Sequence, residues 1–364
     1  MKIEDRDNRF QIIWDLGRKC TYACTYCPPH RNNKTSPVVG FDDLITSMEF
    51  VDDYISMYEE FRGRPYRVKA LSFTGGEPTI HPGFLKFGRY VKDNYTGYNV
   101  NMTTNGVFSK KQAKIYHELF GGTISYHPEG DAKSKKLAID NIMMMGDKYK
   151  VNVMFHKDYF DECVALCETL KKEGIKYIPR RIGDDGNDPV SIEKGYTHVY
   201  TEEQNEYFNS YFGTNDASQG RMCCGGRDFC VDGKEGVTYV PNTNFKGYNC
   251  FVNWYFLYIN QETRDVYTHQ TCGVNLDNDV APLGTLDEKH KIIERLEQHF
   301  YIDRKMPVIT CPKSFCGCGM CVDKSDKQGA FKFNKIDLVY NELKKEEDVQ
   351  WITIKERMDE IDRV

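Results

Sequence analysis

Cys20, Cys24 and Cys27 stand in the segment CTYACTYC, separated by three and then two residues. Thiols crowded at such spacing bind a metal or an iron–sulfur cluster more readily than they pair with one another. A [4Fe–4S] cluster takes four thiolates when it is closed. A loop that offers three leaves one iron open to a substrate or cofactor. Zinc is the competing reading: structural zinc sites take four ligands, and His30 lies near enough in sequence to be the fourth. The loop taken alone leaves both readings open.

A second group, Thr74-Gly75-Gly76-Glu77-Pro78, follows the apolar run VKALSF. Glycines at a strand end let the backbone approach a ligand closely, and Glu77 offers a carboxylate for an ammonium group. A tight turn before a helix would use the same residues, so this motif too is ambiguous alone. The pair is more specific. CTYACTYC, with aromatic Tyr26 just before the last cysteine, resembles the signature of the radical S-adenosylmethionine (SAM) superfamily, and TGGEP resembles that family's second motif. The resemblance covers roughly residues 10–182.

The resemblance implies a [4Fe–4S] cluster on Cys20, Cys24 and Cys27, with the open iron chelating S-adenosylmethionine. It implies reductive cleavage of that cofactor to a 5′-deoxyadenosyl radical, which then takes hydrogen from a substrate. Cofactor contacts are implied at Tyr26 beside the adenine and at Thr74, Gly75, Gly76 and Glu77 about the methionine amino group. Further contacts fall at Asn105 in TTNG, at Ser125 and at Arg180 or Arg181, the ends of the third, fourth and sixth strands. Ordinary strand-end polar residues would look the same at those later positions. An electron donor such as flavodoxin or ferredoxin is the implied partner.

Nine further cysteines follow residue 220. Cys311, Cys316, Cys318 and Cys321 form a tight run, and Cys250 and Cys272 flank a hairpin-like segment. This order resembles the SPASM and twitch extensions of the same superfamily. It implies an auxiliary [4Fe–4S] cluster on Cys272, members of the 311–321 run and Cys250. Cys223, Cys224 and Cys230 raise the count to what two auxiliary clusters would need, and a zinc knuckle in CGCGMC is the alternative. Cys163 and Cys167, four apart on a helical pattern, read as small buried side chains.

The elements that must position these residues alternate. Strands are expected at 10–16, 68–73, 98–104, 122–126, 150–156 and 175–180, with helices at 41–61, 84–95, 110–120, 134–148 and 161–174. Six such repeats imply an α/β fold with a parallel sheet, a partial (β/α)6 barrel whose chemistry sits at the C-terminal strand ends. His127, His156, Tyr126, Arg180 and Arg181 fall at such ends and are candidates to line a pocket. A short helix is expected at 201–213, a hairpin within 254–272 and a helix at 289–304. The expected division is 1–182 for the catalytic domain, 183–249 for a Gly- and Cys-containing connector, 250–333 for a smaller auxiliary iron–sulfur domain, and 334–364 for terminal helices near 334–345 and 347–361.

The bulk numbers exclude some classes. Of 364 residues, 40% are hydrophobic and 28% charged, as in a globular protein. The net charge of −5 disfavours a general nucleic-acid binder. The polar start and the lack of a long apolar run point away from secretion and membranes, toward the cytoplasm. There, fourteen cysteines are better explained as ligands than as disulfides. Only nineteen residues precede Cys20, which argues against an N-terminal peptide-binding module. The expectation is an oxidative modification of a small molecule or peptide. The alternatives are a peptide maturase or epimerase, and a non-catalytic iron–sulfur or zinc scaffold. An RNA-modifying radical enzyme is disfavoured by the acidic charge.

Overall fold

The computed structural model describes residues 9–27, 39–182, 198–212, 249–250, 252–269, 282–303, 309–310 and 324–325. Strands β1 (Arg9–Asp15), β2 (Val68–Thr74), β3 (Tyr98–Thr104), β4 (Gly121–Tyr126), β5 (Tyr149–Phe155) and β6 (Tyr177–Arg181) pair in sequence order, every pair parallel. Between them run α1 (Phe41–Arg62), α2 (Phe84–Asn94), α3 (Lys110–Leu119), α4 (Ala132–Met145) and α5 (Phe160–Lys172). This is the expected α/β architecture of a partial (β/α)6 barrel.

Strand alternation separates two faces. In register, Trp14, Phe73 and Met102 point one way, and Ile124 and Val151 join them further along. All five belong to one buried apolar core with Leu44, Val51, Tyr54 and Tyr58 of α1. Phe73 sits among the rings of Trp14, Phe84, Phe87 and Phe120. The opposite face carries small and polar residues: Asp15 opposite Thr74, Thr103 opposite Thr123, and Ser125 opposite Asn152. The apolar face fixes the sheet on its helices, and the polar face is left for ligands.

Local chemistry sets the helix ends. Ser109 and Gln112 form a reciprocal capping box on α3, and Asp131 accepts from Ser134 N at 2.9 Å at the start of α4. Asp42 and Asp43 occupy the first turn of α1, where the helix dipole favours a carboxylate. Cys163 and Cys167 are buried on α5, as their spacing suggests, and burial pushes both thiols up to about 12.

The later segments do not stand apart. Helix α6 (Glu202–Phe212) follows the barrel strands, and Arg181 donates to Asn205 Oδ1 on it at 2.6 Å. The expected hairpin forms as β8 (Phe256–Asn260) and β9 (Asp265–Tyr267), with β10 (Gly284–Thr285) beyond it. Strand β8 pairs parallel with β1, so the nine-stranded sheet runs β10-β9-β8-β1-β2-β3-β4-β5-β6. The sheet therefore joins segments that the sequence division assigns to different domains. Helix α7 (Lys289–Glu297) continues as a π-helical turn, Gln298–Ile302, that stacks Phe300 on Phe61 of α1. A separate small sheet sets β7 (Asn249–Cys250) between β11 (Ile309–Thr310) and β12 (Lys324–Ser325), both antiparallel to it. Among the described residues, no helix is long and apolar enough to cross a membrane.

Candidate functional site

The cysteine loop leaves the end of β1 and is docked on the end of β2. Leu16 N donates to Thr74 O at 3.0 Å, Gly76 N to Gly17 O at 2.8 Å and Glu77 N to Lys19 O at 2.8 Å. The β1–β2 ladder thus continues past both strands and holds the residues just before Cys20. Both glycines are required for this approach. Gly75 has φ +127°, and a Cβ there would collide with the Gly17 carbonyl and lie 2.6 Å from Asp15 Oδ1. A Cβ on Gly76 would strike the carbonyl of Lys19.

Glu77 is buried, and its carboxylate is used within the protein. Oε1 accepts from Thr79 N at 3.1 Å, Thr79 Oγ1 at 2.6 Å and Thr104 Oγ1 at 2.8 Å, while Oε2 accepts from Asn105 N at 2.7 Å. The carboxylate expected to receive an ammonium group is already a tie between β2 and β3. Burial raises its pKa, and the hydrogen bonds from Asn105, Thr79 and Thr104 oppose that rise. Asn105, fixed by this tie, donates through Nδ2 to Thr21 Oγ1 at 2.8 Å and faces Cys20 Sγ at 3.8 Å.

The three thiols are partly buried, and none of the described cysteines is in a disulfide. Cys27 N donates to Cys24 O at 3.1 Å, closing a turn, and Tyr22 N donates to Cys20 Sγ at 3.4 Å. Burial pushes Cys24 up to about 12; the Tyr26 hydroxyl opposes this, and the charges of Glu129, Cys20 and Cys27 add to it. Burial also raises Cys20. These thiolates are penalised by desolvation and by one another, a penalty that a bound cationic centre removes. The donor set therefore fits a three-thiolate metal or cluster site. Among the described residues no three ligating side chains converge on one point.

The rest of the site is built from the ends of β4, β5 and β6. Tyr26 stacks on His127, ring centroids 6.0 Å apart and 12° between planes, and its hydroxyl lies 2.6 Å from His127 Nδ1. Burial lowers His127 to about 4, so the ring is neutral at pH 7. His156 and His198 pack edge to face at 4.3 Å, both also against Tyr26. Ser125 is buried on β4, and Arg180 is buried on β6 with Nε donating to Asn152 Oδ1 at 3.2 Å. Tyr126 turns from this group to the helix side, donating to Glu162 at 2.5 Å. Arg181 lies over the Phe208 ring of α6.

The structure thus gathers Cys20, Cys24, Cys27, Tyr26, Thr74, Gly75, Gly76, Glu77, Asn105, Ser125 and Arg180 at one end of the parallel array. Cys250 lies apart, on β7. Cys272, Cys311, Cys316, Cys318, Cys321, Cys223, Cys224, Cys230, His30 and the expected terminal helices lie outside the described residues. The sequence reading missed Thr25, Thr104 and Glu129. The signal for the last was the turn-forming run His127-Pro128-Glu129-Gly130 directly after a predicted strand.

Comparison with known proteins bears on this geometry. The sequence model described as Radical SAM superfamily matches residues 14–183. A GTP 3′,8-cyclase of Campylobacter fetus subsp. fetus (strain 82-40) is 24% identical over 163 residues, covering 44% of this chain and 42% of that protein. An S-adenosylmethionine-dependent nucleotide dehydratase of Selenomonas ruminantium is 27% identical over 116 residues, covering 30% of this chain and 35% of that protein. The matches therefore span less than half the length of these two relatives. Among solved structures, native anSMEcpe with bound AdoMet and Kp18Cys peptide aligns over 98% of this chain and 100% of that one, with TM-score 0.45 and 13% identity.

Proposed function

Residues 14–183 of this chain are a radical SAM superfamily domain, and from that premise we propose an enzyme that uses S-adenosylmethionine to take hydrogen from a small-molecule or peptide substrate. The observation that carries the reading is the docking of the Cys20–Cys27 loop on the Thr74–Glu77 turn, with Asn105 reaching it from β3. When bound, a [4Fe–4S] cluster on Cys20, Cys24 and Cys27 together with S-adenosylmethionine would supply one-electron cleavage to a 5′-deoxyadenosyl radical.

The chain's own residues supply position. Gly75 and Gly76 keep side chains out of the gap between β2 and the cysteine loop, so the loop backbone can dock there and the three thiols are held at the strand end. Tyr26 offers an aromatic face for an adenine ring. Ser125 offers a hydroxyl, and Arg180, oriented by Asn152, offers a guanidinium for a carboxylate. Thr74 and Asn105 complete the proposed cofactor contacts, with Glu77 acting through the hydrogen bond by which it fixes Asn105.

The reading extends to one auxiliary [4Fe–4S] cluster on Cys250, Cys272 and members of the run Cys311, Cys316, Cys318 and Cys321, with Cys223, Cys224 and Cys230 supplying the further thiols that a second cluster would need. Its support is the small sheet: Cys250 pairs with Ile309 on one side and with Lys324 on the other. The chain therefore enters and leaves the four-cysteine run beside buried Cys250. An electron donor of the flavodoxin or ferredoxin type would reduce the cluster on Cys20, Cys24 and Cys27. Between substrate classes, the two relatives bear names of enzymes acting on nucleotides, which favours the small-molecule branch.

The test is anaerobic reconstitution with iron and sulfide, reduction, and assay for 5′-deoxyadenosine. Wild type is expected to release it, even uncoupled from a substrate, and Cys24→Ser to abolish it. Iron bound without any 5′-deoxyadenosine would overturn the enzyme reading in favour of a scaffold. About eight irons per chain would support one auxiliary cluster, about twelve would support two, and about four would remove both.

A further inference from the structure

The cysteine loop is held from a second side, by the run His127-Pro128-Glu129-Gly130 that follows β4. Glu129 sets both carboxylate oxygens on Thr25, the residue directly after Cys24. Oε2 accepts from Thr25 N at 2.8 Å and Oε1 from Thr25 Oγ1 at 2.7 Å. Thr25 is an inner residue of the turn that Cys27 N closes on Cys24 O, so this pair of bonds fixes the spacing between two proposed ligands.

Glu129 also faces His156: Nε2 of that ring lies 3.5 Å from Glu129 Oε1, while Asp158 N donates to its Nδ1 at 3.2 Å. The Glu129 side chain is only 16% exposed, while Thr25, from which it receives hydrogen bonds, stands at the surface. The neighbours press on the same loop. A Cβ on Gly130 would lie 2.8 Å from the Tyr22 hydroxyl and 2.9 Å from two Tyr22 ring carbons. His127 reaches the Tyr26 hydroxyl and lies 3.7 Å from Cys24 Sγ.

We propose that Glu129 is a positioning residue for the metal-binding loop: through Thr25 it holds Cys24 and Cys27 in their ligating arrangement and sets how firmly the loop retains its cluster. This rests on the cluster reading of the preceding section. Groups that orient metal ligands are typically worth about 10–100-fold in metal affinity.

The experiment uses the full chain with Glu129→Ala and Glu129→Gln. In iron-free protein, hydrogen exchange at the Thr25 amide is expected to be slow in wild type and at least about tenfold faster in Glu129→Ala. Glu129→Gln, which keeps one acceptor oxygen, should fall between. After anaerobic reconstitution, the iron that depends on Cys20, Cys24 and Cys27 should pass to a chelator about 10–100-fold faster from Glu129→Ala, with a broadened electron paramagnetic resonance signal. Unchanged exchange and unchanged iron release in a Glu129→Ala protein that melts with wild type would overturn the proposal. If Glu129→Ala fails to fold, Glu129→Gln decides by the same two readouts. Equal iron uptake by wild type and a Cys20→Ser/Cys24→Ser/Cys27→Ser variant would overturn the cluster reading and the retention role with it. That outcome is distinct from failure of Glu129 alone, in which cysteine-dependent iron binds and is released at the wild-type rate.

Discussion

Glu77 joins two motifs to a third strand, and its removal has a definite cost. Glu77→Ala would leave the Thr79 and Asn105 amides and two threonine hydroxyls without their acceptor in a buried place. An unsatisfied buried polar group costs about 1–3 kcal/mol, and hydroxyls can turn to other partners. The expected loss is about 3 kcal/mol in urea unfolding of the iron-free protein, with a smaller loss for Glu77→Gln. His198 gives a pH prediction. Its pKa is lowered to about 4 by burial first, then by His156 and Lys157. The unfolded chain, with an ordinary histidine, therefore binds more protons between about pH 4 and 6.5 than the folded one. Stability should be fully present above about pH 6.5 and fall as pH drops toward 4. Melting temperatures across that range should decline less steeply in His198→Gln.

Among elements, the β2 turn and the α3 cap predict opposite extremes. Gly75→Ala places a side chain at φ +127° and against the Gly17 carbonyl. Strain of about 1–3 kcal/mol plus that collision should cost at least about 3 kcal/mol, measured by denaturant melts, and displace the cysteine loop. Ser109→Ala removes only a surface capping box and should cost about 1 kcal/mol. The barrel elements were legible because alternating apolar runs such as VKALSF and YNVNMTT declare strands, and the intervening stretches carry helical periodicity. The motif residues were legible by type and spacing. The commitment of Glu77 to Thr104 and Asn105 was not, because its partners lie 27 and 28 residues away on another strand. Glu129 escaped for the same reason: its partner Thr25 is 104 residues distant.

At the scale of the whole molecule, the informative contact is β8 on β1. Gln11 N donates to Tyr255 O at 2.8 Å, Gln261 N to Asp15 O at 2.9 Å, and Trp14 Nε1 to Gln261 Oε1 at 2.9 Å. Every residue of β8 is buried. A chain ending at Phe212 would expose one edge of β1, a flat hydrophobic strand of the kind that aggregates. Such a truncation should elute as aggregate on size-exclusion chromatography, while the full chain stays dispersed. The hairpin itself could be read from its aromatic and β-branched runs on either side of a polar turn. Its attachment to the first strand could not, since a strand's pattern records that a face is buried and not which edge covers it.

That attachment also sets a clock. The strand that seals β1 lies 247 residues later in the chain, measured from Trp14 to Gln261. At roughly 5–20 residues per second of synthesis, the first strand emerges tens of seconds before its neighbour exists. Throughout that interval the nascent chain carries an open apolar edge. Production of this protein should therefore depend on chaperone capacity and on the speed of translation.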